Sequence, residues 1–364
     1  MAKAPPRRPV GFGEPLLDLR AASSRNPQFS IGSLGGRWLL MCALANTGSA
    51  EARAAIDAAV QWPVADESLR VCAIFIAHAA ADNDLIAKAA QTRLVFTDNE
   101  AAAACGLIDA QGDAKGRWLL FDPSLRLVGA WPLTQAAAAI SALAATPAPD
   151  QHAGVAISAP ALIVPRVFEP EFCRVLIAYY RERGGAPSGI TVKNEAGMAE
   201  VKLNDSFKRR TDCNIEDAKL REAAMHRMFW RLNPEIEKAF MWKPTRLERY
   251  IVARYDATEG GFFRPHRDNT TPATAHRRFA VTINLNAEDY EGGDLRFPEF
   301  GSRTYRAPTG GAVVFSCSLL HEATPVTRGE RYAFLPFLYD EAAAKVRAAN
   351  NHLLDESIAP YRGE

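Results

Sequence analysis

The chain has 364 residues, 48% hydrophobic and 23% charged, the make-up of an ordinary folded protein. Lys and Arg number 43 against 42 Asp and Glu, a net charge of +1 that argues against a nucleic-acid binder, which carries a clearly basic domain or stripe. No run approaches the ~18 apolar residues of a membrane span, and the opening "MAKAPPRRPVGFGEP" lacks the apolar stretch of a secretion signal. Six cysteines, Cys42, Cys72, Cys105, Cys173, Cys213 and Cys317, are scattered without a C-x-x-C pair, so a reducing cytoplasm is the expected location. This length predicts two domains.

Residues 1–145 read as a layered α/β domain. "RWLLMCALA" predicts a buried strand, "SAEARAAIDAAVQ" a helix opening at a Ser cap, and "LRVCAIFIA" a second strand. "DNDLIAKAAQ" and "DNEAAAACG" predict helices with Asp near their starts, "RWLLFD" and "LRLVGAW" a hairpin around "DPS", and "LTQAAAAISALAA" a closing helix. Strands alternating with helices imply a largely parallel sheet. Residues 146–160, rich in Pro and Ala and without period, read as a linker.

The second domain, 161–340, opens with a short strand in "ALIVPRVF" and a helix over 170–183. A further helix is predicted over 216–240, interrupted or kinked at Pro234. After Pro244 come "LERYIVARYD", "RRFAVTINLN", "GGDLRFPE", "GGAVVFSCS" and "RYAFLPFLYD", short strands between Gly, Pro and Asp turns, which predict a sandwich or barrel of jelly-roll type. Residues 341–364 form a helical tail. The basic clusters "FKRR" (207–210) and "HRRF" (276–279) read as solvated loop or strand ends, with contact between "FKRRTD" and a substrate as the alternative for the first. The Met and aromatic residues of "MHRMFWRL" read as core, and His78, His152, His226, His276 and His352, lacking ligand-spaced partners, as surface or structural histidines.

"FFRPHRDNTT" places His266 and Asp268 two positions apart, on one side of an extended segment. His321, in "SLLHEATPV", is the candidate third leg, brought back by a rolled sheet. Two imidazoles and one carboxylate with open positions are the ligand set of non-haem Fe(II) oxygenases. Arg331 follows across a turn at "TRGE" that would set it on the strand beside His321. A buried guanidinium there calls for a carboxylate partner, best held two-pronged. In "RRFAVTINLN" alternation puts Thr282 and Asn284 opposite Val281 and Ile283, facing either a wet pocket or solvent.

"YDATEGGFFRPHRDN … YEGGDLRF … PTGGAVVFSCSLLHEATPVTRGERYAF" resembles the Fe(II)/2-oxoglutarate dioxygenases of the prolyl-hydroxylase-like branch, over roughly residues 160–340. The resemblance implies a double-stranded β-helix (a jelly roll) with supporting helices and His266, Asp268 and His321 on iron. Arg331 would hold the co-substrate 2-oxoglutarate, with Asn284 and Tyr255 as further contacts. It also implies O2 as co-substrate, ascorbate as a candidate stimulant, and hydroxylation of an amino-acid side chain, free, peptidyl or protein-bound, with release of succinate and CO2. Position 263 is Phe where this branch often has Tyr, which removes one polar contact. Asp268 keeps the carboxylate that related halogenases replace, and position 337 is Phe where nucleic-acid demethylases of the superfamily carry a second Arg.

"GEPLLDLR … GGRWLLMCALANTGSAEARAAI … GRWLLFDPSLRLVGAWP" resembles the thioredoxin-like fold in its peroxiredoxin form, over residues 10–145. A peroxidatic Cys would stand at the start of the first helix, where "ANTGSAEA" has none; Cys42 lies within the strand and Cys105 near a later helix end. The domain therefore reads as non-catalytic, serving homodimerisation, partner docking or the substrate entrance. The expected ligand is a small-molecule, peptide or protein substrate, with neither nucleic acid nor membrane as partner. Two rival functions are a regulatory scaffold with a metal site and a thiol peroxidase with an atypical Cys.

Overall fold

The computed structural model describes residues 9–17, 19–63, 67–77, 82–107, 116–194 and 196–363. The chain divides into two compact units, Met1–Ser158 with Pro298–Ser302, and Ala159–Phe297 with Arg303–Glu364.

In the first unit a two-residue ladder joins β1 (Arg20–Ala21) to β2 (Phe29–Ser30). β3 (Trp38–Leu44) is apolar and buried along its whole length, as a strand covered on both faces must be. α1 (Ala50–Gln61) starts where expected, at Ser49, whose side chain accepts from the Ala52 N–H. β4 (Arg70–Ile76), α2 (Asn83–Ala90, capped by Asp82), β5 (Leu94–Thr97) and α3 (Asn99–Ala104, capped by Asp98) follow. The hairpin β6 (Arg117–Phe121)–β7 (Leu127–Pro132) and α4 (Ala136–Ala144) complete the unit. The sheet runs β5-β4-β3-β6-β7, with the first three strands parallel and the last two antiparallel. Strand alternation feeds two cores, Leu39, Met41, Phe75 and Phe96 on one face, and Leu40, Cys42 and Ile74 against Ile56 of α1 and Leu143 of α4 on the other. β5 escaped the sequence reading because four residues carry too little period to stand out.

The second unit begins with β8 (Leu162–Val164) and α5 (Pro170–Arg183), both as expected. Between 186 and 214 lie five short strands that were not expected, β9 (Ala186–Pro187), β10 (Ile190–Lys193), β11 (Ala199–Lys202), β12 (Lys208–Arg209) and β13 (Thr211–Asn214). The helix predicted over 216–240 is two helices, α6 (Ala218–Arg231) and α7 (Asn233–Phe240). Pro234 sits in the first turn of α7, where its missing N–H is no loss. Of "MHRMFWRL" only Met228 and Leu232 enter the core; Met225, Phe229 and Trp230 are 49%, 49% and 63% exposed, which corrects the reading of that stretch.

The strands of the roll are β14 (Arg246–Glu248), β15 (Ile251–Asp256), β16 (Phe262–His266), β17 (Phe279–Asn284), β18 (Glu291–Gly292), β19 (Leu295–Arg296) and β20 (Thr304–Tyr305). β21 (Ala312–Ser316), β22 (His321–Ala323), β23 (Val326–Arg328), β24 (Glu330–Phe334) and β25 (Phe337–Tyr339) continue it; the tail expected to be helical over 341–364 is an α-helix only in α8 (Glu341–Ala349), followed by a 3-10 turn at Asn351–Leu353. Two predicted strands are each split: Arg249, at φ 73°, separates β14 from β15, and Leu335–Pro336 separates β24 from β25. One sheet runs β8-β21-β17-β24-β15-β13-β9, with β25 linking β17 to β14; the other runs β12-β16-β22-β19-β20. The result is a jelly-roll-like arrangement of antiparallel sheets.

On the larger sheet Val252, Val281, Ile283, Val314 and Phe334 pack against Leu176 of α5, Met228 of α6 and Ile236 of α7. Their alternates point into the roll, where Ala253 and Tyr255 meet Phe263 and Ala323 of the second sheet. Thr282 and Asn284 share that inner side and are 5% and 2% exposed, so the solvent-facing alternative falls. All six cysteines are buried and none forms a disulfide. Among the described residues no helix is long and apolar enough to cross a membrane.

Candidate metal centre

β16 and β22 are neighbours in the smaller sheet, with His266 directly across from His321. Asp268 lies just past the end of β16, where its N–H donates to the Cys317 carbonyl at 2.9 Å. Its carboxylate reaches both rings, Oδ1 at 3.4 Å from His266 Nε2 and Oδ2 at 3.3 Å from His321 Nε2. The three ligand atoms all lie within 4.8 Å of one another, a span one cation can bridge.

The far side of each ring is tied down. His266 Nδ1 donates to the Arg264 carbonyl at 2.7 Å and His321 Nδ1 to the Leu319 carbonyl at 3.0 Å, which leaves each Nε2 lone pair facing the centre. Burial, helped by the neighbouring His321, brings His266 down to about 4. Burial opposes ionisation of Asp268, but the two imidazoles outweigh it and hold the carboxyl well below its usual range. Neutral imidazole and ionised carboxylate are the forms that bind a metal. The Phe263 ring stacks on His266 with centroids 3.6 Å apart, and Phe315 lies 4.6 Å from the ring of His321, so the wall behind the ligands is apolar.

Arg331 is not on the strand beside His321, as the sequence reading had it. β22 is flanked by β16 and β19, and the turn after His321 carries the chain through β23 to β24 in the opposite sheet. There Arg331 is directly across from Tyr255, 2% exposed, with its guanidinium 4.9 Å from the centre of the tyrosine ring. Its Nε and Nη1 are buried without a hydrogen-bond partner, the condition a ligand carboxylate would relieve. Gly293, at φ +68°, lets the backbone pass close by: a Cβ there would stand 3.1 Å from Arg331 Cδ. Asn284 also faces inward. Its Nδ2 donates to the Ala307 carbonyl at 2.7 Å, and its Oδ1 is buried without a partner.

Among the described residues no other histidine joins the trio. His276 is buried and bonded to Glu248 at 2.7 Å, His152 lies 3.8 Å from Asp122, and His226 and His352 are exposed; His78 lies outside the described residues. Both basic clusters were misread as solvated. Arg277 is paired with Glu248 at 2.7 Å, while Lys208 and Arg210 are 5% and 8% exposed. Lys208 Nζ donates to Ser188 Oγ at 2.6 Å and to the Gly189 carbonyl at 2.8 Å. Arg210 donates to Asp212 at 2.6 Å, to Ser188 Oγ at 3.1 Å and to the Tyr255 hydroxyl at 3.4 Å. Burial and the charge of Arg210 push the Lys208 amine well below the lysine range. Burial would raise Asp212, but Arg210 and Arg249 bring it to about 2. The one sequence signal for this group was the alternation Lys208-x-Arg210-x-Asp212, which a strand puts on one side.

Residues 250–339 match the sequence profile of the 2OG-Fe(II) oxygenase superfamily. A PKHD-type hydroxylase of Cupriavidus metallidurans is 31% identical over 182 residues, 47% of this chain and 74% of that protein. The chain belongs to the 2OG-Fe(II) oxygenase superfamily. A second PKHD-type hydroxylase, from Shewanella frigidimarina, is 29% identical over 189 residues, 50% of this chain and 80% of the relative. Among solved structures, a Pseudomonas putida prolyl-4-hydroxylase overlaps 53% of this chain and 96% of its own, at 19% identity and a TM-score of 0.39. Oxygenases of this superfamily use Fe(II), 2-oxoglutarate and O2, and the oxygenase described here carries a His-Asp-His group able to hold the metal.

Proposed function

We propose that this oxygenase hydroxylates an amino-acid side chain, free or within a peptide or protein, and releases succinate and CO2. The observation that carries the reading is the convergence of His266, Asp268 and His321, with both imidazoles locked by backbone carbonyls so that their free nitrogens meet the carboxylate.

In this reading His266, Asp268 and His321 would hold Fe(II). Bound Fe(II), with 2-oxoglutarate and O2, supplies the oxidising power for converting C–H to C–OH. The chain's own residues do the positioning. Arg331, with nitrogens that lack a protein partner, would hold the distal carboxylate of 2-oxoglutarate, and Tyr255, across from it, would offer its hydroxyl. Phe263 and Phe315 keep water from the outer faces of the imidazoles.

The first unit is read as thioredoxin-like, supported by its parallel β3-α1-β4 arrangement followed by the β6–β7 hairpin and α4. Its role is docking or support rather than thiol chemistry: Cys42 and Cys105 are both 0% exposed, and burial pushes the Cys42 thiol well up. Six buried cysteines, none in a disulfide, favour a reducing compartment.

The test is Fe(II) titration under argon, then succinate release over free amino acids, peptides and lysate proteins, with Asp268→Ala as control. One equivalent of metal and turnover confined to the wild type are expected. Failure to take up iron, or full succinate release by the variant, overturns the reading.

A further inference from the structure

A second polar cluster borders the metal centre, and hydroxylation as outlined above does not use it. It is built from Ser188, Lys208, Arg210, Asp212 and Arg249. Asp212 accepts from Arg210 at 2.6 Å and from Arg249 at 3.1 Å, so two guanidiniums share one acid. Lys208 has only neutral oxygens, those of Ser188 and Gly189. The neighbouring acids are committed elsewhere, Glu248 to Arg277 and His276, and Asp268 to the two imidazoles. Arg210 Nε is buried without a partner on a side chain only 5% exposed. Two guanidiniums and one amine therefore surround a single carboxylate, with Arg210 and Lys208 both buried. Uncompensated buried charge is costly enough that a protein holds it where a ligand supplies the counter-charge.

Backbone geometry points the same way. Arg249, which separates β14 from β15, sits at φ 73°, a strained conformation for a residue with a Cβ, and strain of that kind collects at ligand sites.

The cluster's position sets what it can bind. Lys208 is directly across from Phe263 in the β12–β16 ladder, its amine 4.8 Å from the centre of a ring that itself stacks on His266. Arg210 leans on the Tyr255 ring at 5.8 Å, the ring on which Arg331 also rests. The cluster thus adjoins both the metal ligands and the co-substrate clamp. 2-Oxoglutarate has two carboxylates, one for the metal and one for Arg331, and leaves none for this group.

We propose that the molecule oxidised at this centre carries a carboxylate, and that Lys208 and Arg210 bind it, with Arg249 and Asp212 fixing the geometry of Arg210. The inference rests on the reading of the centre as an Fe(II)/2-oxoglutarate hydroxylase. The carboxylate has three sources, the α-carboxylate of a free amino acid, the C-terminus of a peptide, or an Asp or Glu side chain within one.

The experiment uses the full chain with Mn(II) in place of Fe(II) and saturating 2-oxoglutarate, so that binding is measured without turnover. Calorimetric titration compares three matched sets of probes. These are proteinogenic amino acids against their carboxamides, neutral pentapeptides with free against amidated C-termini, and doubly capped pentapeptides with a central Asp or Glu against Asn or Gln. In at least one set the acid should bind about tenfold tighter or more than its amide. Lys208→Met and Arg210→Met should bring that ratio close to one, and Lys208→Arg should restore most of it, an outcome that a merely structural lysine would not give. Circular dichroism of each variant separates lost folding from lost preference. Equal binding of acids and amides in every set, no measurable binding in any, or an undiminished ratio in folded Lys208→Met overturns the proposal. Failure of the wild type to take up metal and 2-oxoglutarate instead overturns the parent reading, so the two failures are told apart.

Discussion

Tyr255 and Arg331 face each other across the β15–β24 ladder, and the guanidinium rests 4.9 Å from the centre of the phenol ring. The aromatic face holds the cation, while two of its nitrogens have no protein partner. Arg331→Leu should therefore weaken 2-oxoglutarate binding by at least about thirtyfold, the ~2 kcal/mol lower end for truncating one side of a buried charge pair. Arg331→Lys should fall between, since it keeps the charge but not the fork. Titration of the anaerobic metal complex with 2-oxoglutarate gives both values.

Removing the metal should abolish turnover reversibly. Chelation is expected to stop succinate release, and one equivalent of Fe(II) to restore it. Asp268→Ala should not recover even with excess metal, because it removes the only carboxylate of the trio. Metal analysis after gel filtration checks the stoichiometry.

Glu248 supports the centre from behind. It accepts from Arg277 at 2.7 Å and His276 at 2.7 Å, and Arg277 in turn reaches the Asp268 carbonyl at 3.4 Å. Glu248→Gln should destabilise the second unit by about 3–5 kcal/mol, the usual cost of breaking a buried ion pair, read from urea unfolding. Burial would raise the Glu248 carboxyl, yet Arg277 and His276 hold it well below its usual range. A depressed carboxyl gives stability that is present above its unfolded value and is lost as the pH falls. The wild type should therefore lose stability on acidification below about pH 4.5 more steeply than the Gln variant.

Gly293→Ala should raise the 2-oxoglutarate requirement several-fold while leaving metal uptake nearly unchanged. Its φ of +68° disfavours a side chain, and the new methyl would press on Arg331 Cδ at 3.1 Å and Val326 Cγ2 at 2.8 Å, away from the iron ligands. Separate titrations with Fe(II) and with 2-oxoglutarate distinguish the two effects.

Much of this was legible in the chain. β3 and α1 were plain because an unbroken apolar run and a Ser49 cap are local signals. The His266–Asp268 spacing was legible for the same reason, since a two-residue repeat puts both on one side of extended backbone. Arg331 was correctly expected inside the roll and wrongly placed beside His321. A turn fixes the direction of the next strand, but not which sheet receives it. Lys208 and Arg210 were misjudged because charge in a short segment normally marks solvent; Ser188 and Gly189 after β9, Tyr255 of β15, and Asp212 two residues on make their burial tolerable. Arg249 broke a predicted strand through a positive φ that no residue type at that position announces.

The burial of every cysteine has a practical consequence. Three thiols lie in each unit, and the most accessible of the six is 5% exposed. A thiol-alkylating reagent therefore registers not surface reactivity but the moments when a unit opens. Peptide mapping after a labelling pulse would time the opening of each half separately, with no introduced probe, and would show whether loading the iron site slows the exchange of Cys173, Cys213 and Cys317 alone.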